Sequence, residues 1–249
     1  MIKFFRNIRQ KLLAEGKTTN YLKYAIGEIV LVVIGILIAL QINNWNEERK
    51  AKLSENATLK NFVQDLKSDS VSYSINLQLL KEINVLHQKL YEIGVKGNDT
   101  IYINKPGLIR RLPYYNPIAK ENDPQIASKI SNDTIRKAIL NYFRAMKDLD
   151  DTYGEFQDMV RERMRIFLAD NNLHRLSGWF ESEKRLNYVS DNLQKIINPE
   201  DLVKISKNAE FQQLLLEASL KVNETINVLN VLMDNNEKLI ALIEKTLKL

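Results

Sequence analysis

The sequence AIGEIVLVVIGILIALQI occupies residues 25–42 and contains a single ionisable side chain, that of Glu28. As an α-helix with a rise of about 1.5 Å per residue, this segment would extend for roughly 27 Å, close to the hydrocarbon thickness of a bilayer. Tyr21 and Tyr24 precede it and Trp45 follows it, as expected for aromatic side chains placed at the two headgroup layers. We therefore predict one transmembrane helix near the start of the chain.

The charges before this segment predict its orientation. Residues 1–23 hold six Lys and Arg residues against one acid, Glu15. Because positively charged flanks stay on the cytoplasmic side, residues 1–23 should be cytoplasmic, residues 24–45 transmembrane and residues 46–249 exported. A cleaved signal peptide is the alternative, but residues 39–41 place Gln where the peptidase requires a small residue. We expect the helix to remain as an anchor.

The first residues also show a helical pattern. Ile2, Phe5, Ile8 and Leu12 recur at three- and four-residue steps with basic residues between them. This pattern fits a short amphipathic helix on the anionic inner leaflet. It also fits an ordinary positively charged flank, and the two interpretations stay open.

One face of the predicted membrane helix carries small and ionisable residues. At 100° per residue, Glu28, Gly35 and Ala39 share one stripe. Small side chains let a second helix approach closely, and a carboxyl group is less costly against a protein partner than against lipid. We predict a helix contact face, either with another copy or with a different membrane protein. The alternatives are that the Glu28 carboxyl reaches the headgroups or is protonated, or that it couples to an ion or a proton.

The net charge of +5 belongs mostly to the membrane flank, because the residues after position 42 carry 30 basic and 29 acidic side chains. We therefore expect no nucleic-acid partner despite the basic isoelectric point.

The chain has no Cys, which excludes disulfides and thiol catalysis. About 200 exported residues are enough to bury one core.

The exported part should begin with a long helix. Residues 46–93 contain no Pro or Gly, and their apolar residues recur mainly at three- and four-residue steps. This pattern predicts a helix that continues from the membrane segment. Polar residues at 68–70 interrupt the apolar stripe, which allows a kink there.

Two further long helices are predicted. Asn132 or Asp133 can cap a helix over residues 132–170, and Asn208 can cap a helix over residues 208–248. The last helix has the cleanest apolar period in the chain, and its stripe is wide. A wide stripe favours a helix packed in a bundle over a narrow, free coiled coil.

Asn236 interrupts the apolar stripe of the last helix at a core-type position. A single polar residue at such a position can fix the register or the oligomeric state of packed helices. A bundle helix also tolerates one polar residue near its end, so both interpretations remain.

Residues 94–125 differ in character, with three glycines and four of the five prolines of the chain. Pro106 followed by Gly107 fits the centre of a type II turn, so we predict a small hairpin or an extended loop. Since the preceding helix leaves the membrane, this segment should lie far from the bilayer and offer a partner surface. A connector that folds back on the bundle is the alternative. The residues of the segment whose types are most often found at protein interfaces are Arg110, Arg111, Tyr114 and Tyr115.

The sequence contains no recognisable catalytic or metal motif. His87 and His174 have no metal-ligand spacing around them and are expected on a helix surface or in a loop. The acidic run at residues 148–158 lacks the Gly that a calcium loop needs at its sixth position, so a solvated face is the better interpretation. A phosphate-binding Gly-rich loop, a nucleophile elbow and a paired zinc motif are missing. We therefore predict no enzyme activity, no cofactor, no metal and no small-molecule substrate.

The N-terminal block is distinctive in its length. It reads MIKFFRNIRQKLLAEGK over residues 1–17 and YLKYAIGEIVLVVIGILIALQINNWNE over residues 21–47. This block resembles the opening of the domain-of-unknown-function family numbered 6090, a family of Bacteroidota membrane proteins. The resemblance is close over about the first fifty residues and extends to the rest only by helical pattern. It implies a Gram-negative inner (cytoplasmic) membrane and a periplasmic body, and it brings no activity, cofactor or catalytic residue.

These features predict an all-α protein in which one transmembrane helix continues into a long antiparallel periplasmic helical bundle. We expect a structural or accessory interaction subunit of a membrane complex or a homo-oligomer. The alternative is a periplasmic sensory or ligand-binding bundle, because this arrangement is similar to chemoreceptor sensor domains. The single membrane pass that we expect weakens this alternative, as does the short internal segment.

Overall fold

The protein is described by a computed structural model that covers residues 18–181 and 194–248. The predicted amphipathic segment before residue 18 lies outside the described residues, as do the side chains of Tyr21 and Tyr24. Within these ranges the chain is helical and forms no strand, which confirms the predicted all-α class. The α-helices are α1 (Thr18–Gly94), α2 (Ala119–Asn122), α3 (Asp133–Asp158), α4 (Arg165–Asp170), α5 (Leu176–Phe180), α6 (Pro199–Ile205) and α7 (Ala209–Leu247).

The chain divides into two compact units, Met1–Ala57 and Thr58–Leu249. In the first unit none of the described side chains is buried. The apolar part of α1 in this unit is long and apolar enough to cross a membrane, and none of it is buried by the rest of the chain. Leu31 and Leu37, for example, are 62% and 59% exposed. These side chains therefore lack the protein contacts that would cover an ordinary core helix.

The second unit is built from the later part of α1 together with α3 and α7. Helix α7 runs antiparallel to α1, because the Asn84 amide bonds to Asn223 at 3.0 Å while the Asn236 amide bonds to the Leu66 carbonyl at 3.0 Å. Apolar side chains of all three helices form one buried core.

Helix α7 also runs antiparallel to α3 and α4. Lys221 forms an ion pair with Glu155, whereas the ring of Phe211 lies 5.7 Å from that of Phe167. Since α7 opposes both of the other long helices, α1 and α3 run in the same direction. In the predicted antiparallel bundle, therefore, only α7 runs opposite to the other two long helices.

The connector, residues 95–132, explains how two consecutive long helices come to run in parallel. It returns along α1: the Lys89 ammonium donates to the Tyr102 carbonyl at 3.2 Å, and further along the Asn76 amide donates to the Tyr114 carbonyl at 2.9 Å. The connector therefore folds back on the bundle, which is the alternative that the sequence left open. Its distance from the bilayer stays a prediction.

The predicted hairpin and type II turn are not formed. Pro106 instead begins a 3-10 helix, Pro106–Arg110, whose first four residues are buried. The Gly107 N–H donates to the side-chain oxygen of Gln194 at 2.9 Å. A buried segment must satisfy its backbone groups, and here local 3-10 bonds and this side chain do so without a paired strand. A second 3-10 helix follows at Ile126–Lys129.

Asparagine side chains cap the later long helices, as predicted. The side-chain oxygen Oδ1 of Asn132 accepts from the N–H groups of Thr134 at 3.0 Å and Ile135 at 3.1 Å. Asn208 accepts from the N–H of Phe211 at 3.0 Å. These contacts satisfy N–H groups that have no partner within the helix.

The helix predicted over residues 132–170 is not α-helical throughout. A π-helical segment, Met159–Met164, joins α3 to α4. It places Met159, Val160 and Met164 in the core. A π-turn is wider than an α-turn and accommodates an additional residue, so it changes the helical phase of the residues that follow.

Candidate functional site

The predicted membrane contact face lies on the exposed apolar part of α1. Glu28 is half-buried, whereas its neighbour Ile29 is 63% exposed. Space is open around Gly35, since a methyl group added there would have no non-local atom within 4 Å. Ala39 lies one helical turn further along the same continuous helix. The face formed by Glu28, Gly35 and Ala39 is therefore accessible to a second helix.

The four residues predicted as a distal partner loop do not form one surface. Tyr114 is 79% exposed, but the Tyr115 ring stacks on that of Tyr73 at a centroid distance of 6.1 Å. Burial raises the pKa of the Tyr115 hydroxyl above its ordinary value. Arg110 and Arg111 are half-buried. A partner would therefore meet the Tyr114 side chain while Tyr115 belongs to the core.

Arg110 has a further structural contact through its backbone. Its carbonyl oxygen accepts two hydrogen bonds from the Arg165 guanidinium, at 3.2 and 3.0 Å. Because Arg165 begins α4 directly after the π-helical segment, this contact fastens the first 3-10 helix of the connector to the second long helix. The role of these residues toward a partner stays a prediction.

A buried carboxyl group, which has no functional signal in the sequence, holds the connector against α1. The two carboxylate oxygens of Asp69 accept from the N–H groups of Ile118 at 2.8 Å and Ala119 at 3.1 Å. The Tyr142 hydroxyl lies 3.5 Å from the same group and 2.8 Å from the Tyr73 hydroxyl. We call Asp69, Tyr73 and Tyr142 together with these two N–H groups the connector clamp.

The charge of the connector clamp is set by two opposing effects. Asp69 is only 2% exposed, and burial raises the pKa of its carboxyl above 3.8, the ordinary value. The hydrogen bonds from Ile118, Ala119 and Tyr142 act in the opposite direction, because they stabilise the carboxylate. The clamp thus joins three elements, α1, α2 and α3, through one ionisable group.

His87 is buried, so the prediction of a surface or loop position is wrong for this residue. It is 3% exposed in α1, and its Nδ1 lies 3.2 Å from the Ser219 hydroxyl of α7. Burial lowers the pKa of His87 to about 4, so the ring is neutral near pH 7. Its position was readable from the sequence, because it falls on the stripe between Ile83 and Leu90.

His174 lies at a different place, half-buried after the second long helix. Its backbone pairs with that of Ile197 in an isolated bridge. Burial and the nearby positive charge of Arg110 lower its pKa. Over residues 18–181 and 194–248, the structure contains no group of three or more His, Asp or Glu side chains arranged to hold a metal ion.

Asn236 has the position of a register residue, and its contacts lie within the chain. It is 1% exposed, and its amide nitrogen donates to the Leu66 carbonyl at 3.0 Å and to the Ser70 hydroxyl at 2.8 Å. A shift of α7 along α1 by one helical turn would break both bonds. Asn236 therefore fixes the register of these two helices.

Comparison with protein families gives one match. Residues 28–101 match the family of unknown function DUF6090, which confirms the resemblance noted in the sequence. The match starts at Glu28 and includes Gly35, Ala39, the rest of α1 and the beginning of the connector, so the basic block before Glu28 lies outside it. Comparison with curated proteins and with solved structures gives no match.

Proposed function

We propose that this protein is a single-pass inner-membrane protein that serves as a structural or accessory interaction subunit of a membrane complex or a homo-oligomer. The observation that carries the proposal is the fully unburied apolar part of α1. Apolar surface of this extent is unfavourable in water, and lipid or another protein has to cover it. An enzyme role is not part of the proposal.

The charge distribution supports an orientation with the N-terminus in the cytoplasm and the bundle in the periplasm. The segment before the apolar helix carries the excess of Lys and Arg, whereas the later residues are nearly balanced. Membrane-impermeant thiol labelling tests this directly, since the chain has no Cys of its own. A thiol in Lys52→Cys should be labelled from the periplasmic side in intact cells, and one in Lys17→Cys only after lysis. The opposite labelling would reverse the proposed topology.

The face of Glu28, Gly35 and Ala39 supports a contact between helices inside the membrane. The space around Gly35 is open, and a partner helix can approach closely there. The half-buried Glu28 carboxyl on the same stripe would gain from a polar partner instead of lipid. This face is the interaction surface that we propose for the membrane segment.

The full-length protein, extracted in mild detergent after crosslinking in the membrane, tests the proposed interaction. Gly35→Leu should reduce the crosslinked complex, because the added side chain fills the space that a partner helix needs. The matched control is Leu37→Phe, which adds bulk on the opposite side of the helix and should leave the complex intact. A protein that runs as a lone monomer and crosslinks to nothing would refute the proposal.

A further inference from the structure

A groove between α1 and α7 differs in its charge from four other cavities of the bundle. It has a volume of about 490 Å³ and is lined by eleven residues, none of which carries a charged side chain apart from the neutral, buried His87. Four other cavities of the bundle each include at least one Asp, Glu or Lys. In a chain with 27% charged residues, this groove is a neutral surface.

Several polar side chains of the groove are already bonded, to each other, to the backbone or to Glu92. Asn84 bonds to Asn223 across the two helices at 3.0 Å, and His87 bonds to Ser219 at 3.2 Å. Gln212 donates to the Gly94 carbonyl at 3.2 Å. These groups therefore contribute little unsatisfied hydrogen-bonding capacity, and the surface that remains for an occupant is mainly apolar.

The apolar surface of the groove continues along α7. Leu216 and Leu220 are 53% and 55% exposed, and Val231 further along the same face is 57% exposed. Asn223 and Asn227 lie between them at three- and four-residue steps. This neutral α7 stripe, Leu216 to Val231, has the spacing of a helix face that packs on another helix.

We propose that the groove binds the neutral α7 stripe of a second copy of this chain, in a two-fold symmetric dimer. In such a dimer each surface meets its own counterpart, so a charged surface would face a like charge. A neutral surface has no such repulsion, and this favours a second copy over a charged partner. The α7 helix of each copy would lie in the α1–α7 groove of the other.

This dimer is one form of the homo-oligomer in the proposed function, on which it rests, and its geometry follows from the two-fold axis. Residues of the stripe that lie near this axis face their own counterparts, so Leu220 of each copy would lie close to Leu220 of the other. Disulfide formation requires Cα atoms about 4.4–6.8 Å apart, a distance that residues near the axis can reach.

Single-cysteine crosslinking of the full-length protein in its membrane tests the proposal. Leu220→Cys should form a disulfide-linked dimer under mild oxidation. Leu140→Cys is the matched control, since Leu140 is an equally apolar residue, 49% exposed, on α3, which does not line the groove. It should remain monomeric at the same expression level.

A second pair of variants separates docking from random collision. Adding Leu216→Glu to Leu220→Cys places like charges across the dimer and should abolish the crosslink, whereas adding Leu140→Glu should leave it unchanged. Retention of the crosslink in the Leu216→Glu variant would overturn the proposal. So would a small molecule or a different protein found in the groove in place of the second copy.

The same experiment distinguishes this proposal from the proposed function. Ala39→Cys reports the membrane face independently of α7. If Ala39→Cys crosslinks and Leu220→Cys does not, the groove proposal is wrong and the membrane contact stands. If neither crosslinks and no other partner is recovered, the proposed function fails as well.

Discussion

Replacing Asp69 by Ala should destabilise the bundle through the connector clamp. The substitution removes the acceptor of two backbone N–H groups, those of Ile118 and Ala119, bonded at 2.8 and 3.1 Å. Ala119 is completely buried and Ile118 half-buried, so water is poorly placed to replace the carboxylate. The start of α2 would then lose its attachment to α1.

The size of the effect follows from the number of N–H groups left unpaired. A buried N–H without an acceptor costs about 1–3 kcal/mol, so two cost about 2–6 kcal/mol. Removing the carboxylate also relieves its burial, which the raised pKa of Asp69 shows to be unfavourable. We expect a net loss of about 3 kcal/mol for Asp69→Ala. Asp69→Asn keeps one of the two acceptor oxygens and should lose about half as much.

Urea unfolding of the full-length protein in mild detergent measures these differences. A Trp45→Phe background leaves Trp179, which packs against the core of the bundle, as the fluorescent reporter. The midpoint should fall in the order wild type, Asp69→Asn, Asp69→Ala, with little change in slope. A loss of about 3 kcal/mol corresponds to a melting temperature lower by roughly 6–12 °C for a unit of this size.

The matched control is Asp151→Ala, a substitution of the same kind at an exposed position of α3. It should change the free energy of unfolding by less than about 0.5 kcal/mol. If Asp69→Ala is no more destabilising than Asp151→Ala, the two N–H groups do not depend on the carboxylate. The account of the connector clamp would then be wrong.

Three other predictions concern His87, Gly94 and Asn236 of the bundle, with Gly154 as the control for Gly94. Because burial lowers the pKa of His87 from 6.5 to about 4, the unfolded state binds the proton more tightly. About 3 kcal/mol of stability should be lost as the pH falls from 6.5 through 4, and His87→Gln should remove this loss in acid-unfolding curves. Gly94→Ala would place a methyl group 2.0 Å from the Ser206 carbonyl oxygen and should lower the melting temperature. Gly154→Ala, with no atom within 4 Å, should instead stabilise by about 0.5–1 kcal/mol. Asn236→Asp keeps the shape but turns the donor that bonds a carbonyl of α1 into an acceptor, so calorimetry should show a loss of more than about 2 kcal/mol at pH 7 and a smaller loss near pH 4.

The three long helices could be predicted because local signals determine them. The spacing of apolar residues along α7 and the capping residues Asn132 and Asn208 can be read from short stretches of sequence. In the structure the two helices begin directly after these caps, at Asp133 and Ala209. Asn236 was identified as polar on an apolar stripe, and its bonds to α1 explain why a polar residue is tolerated there.

The path of the connector could not be predicted in the same way. Pro and Gly residues show that the chain leaves the helix, but they do not specify the direction in which it continues. That direction depends on Asp69, which is 50 residues away from Ala119 in sequence. In the sequence, the polar residues at 68–70 only interrupt the apolar stripe of α1, which allowed a kink. In the structure α1 remains helical there, and one of these residues, Asp69, holds the connector.

His87 shows a different kind of error. Its spacing from Ile83 and Leu90 placed it on the core stripe, but a titratable side chain was expected at the surface. Its Nδ1 is instead bonded to Ser219 of α7. The π-helical segment Met159–Met164 had no sequence signal, because its residues fit an ordinary α-helix equally well.

The return of the connector also affects how the protein is made. The bond between Leu66 and Asn236 joins residues 170 positions apart, so the apolar stripe of α1 has no α7 to cover it until nearly the whole chain has been synthesised. At about 5–20 residues per second, this delay is roughly 10–30 s. During that time the apolar stripe of α1 lacks its α7 contacts, and long-range contacts of this kind also form slowly. The stripe of α1 is therefore the part of the bundle that is open to non-native contacts for longest while the chain is being made.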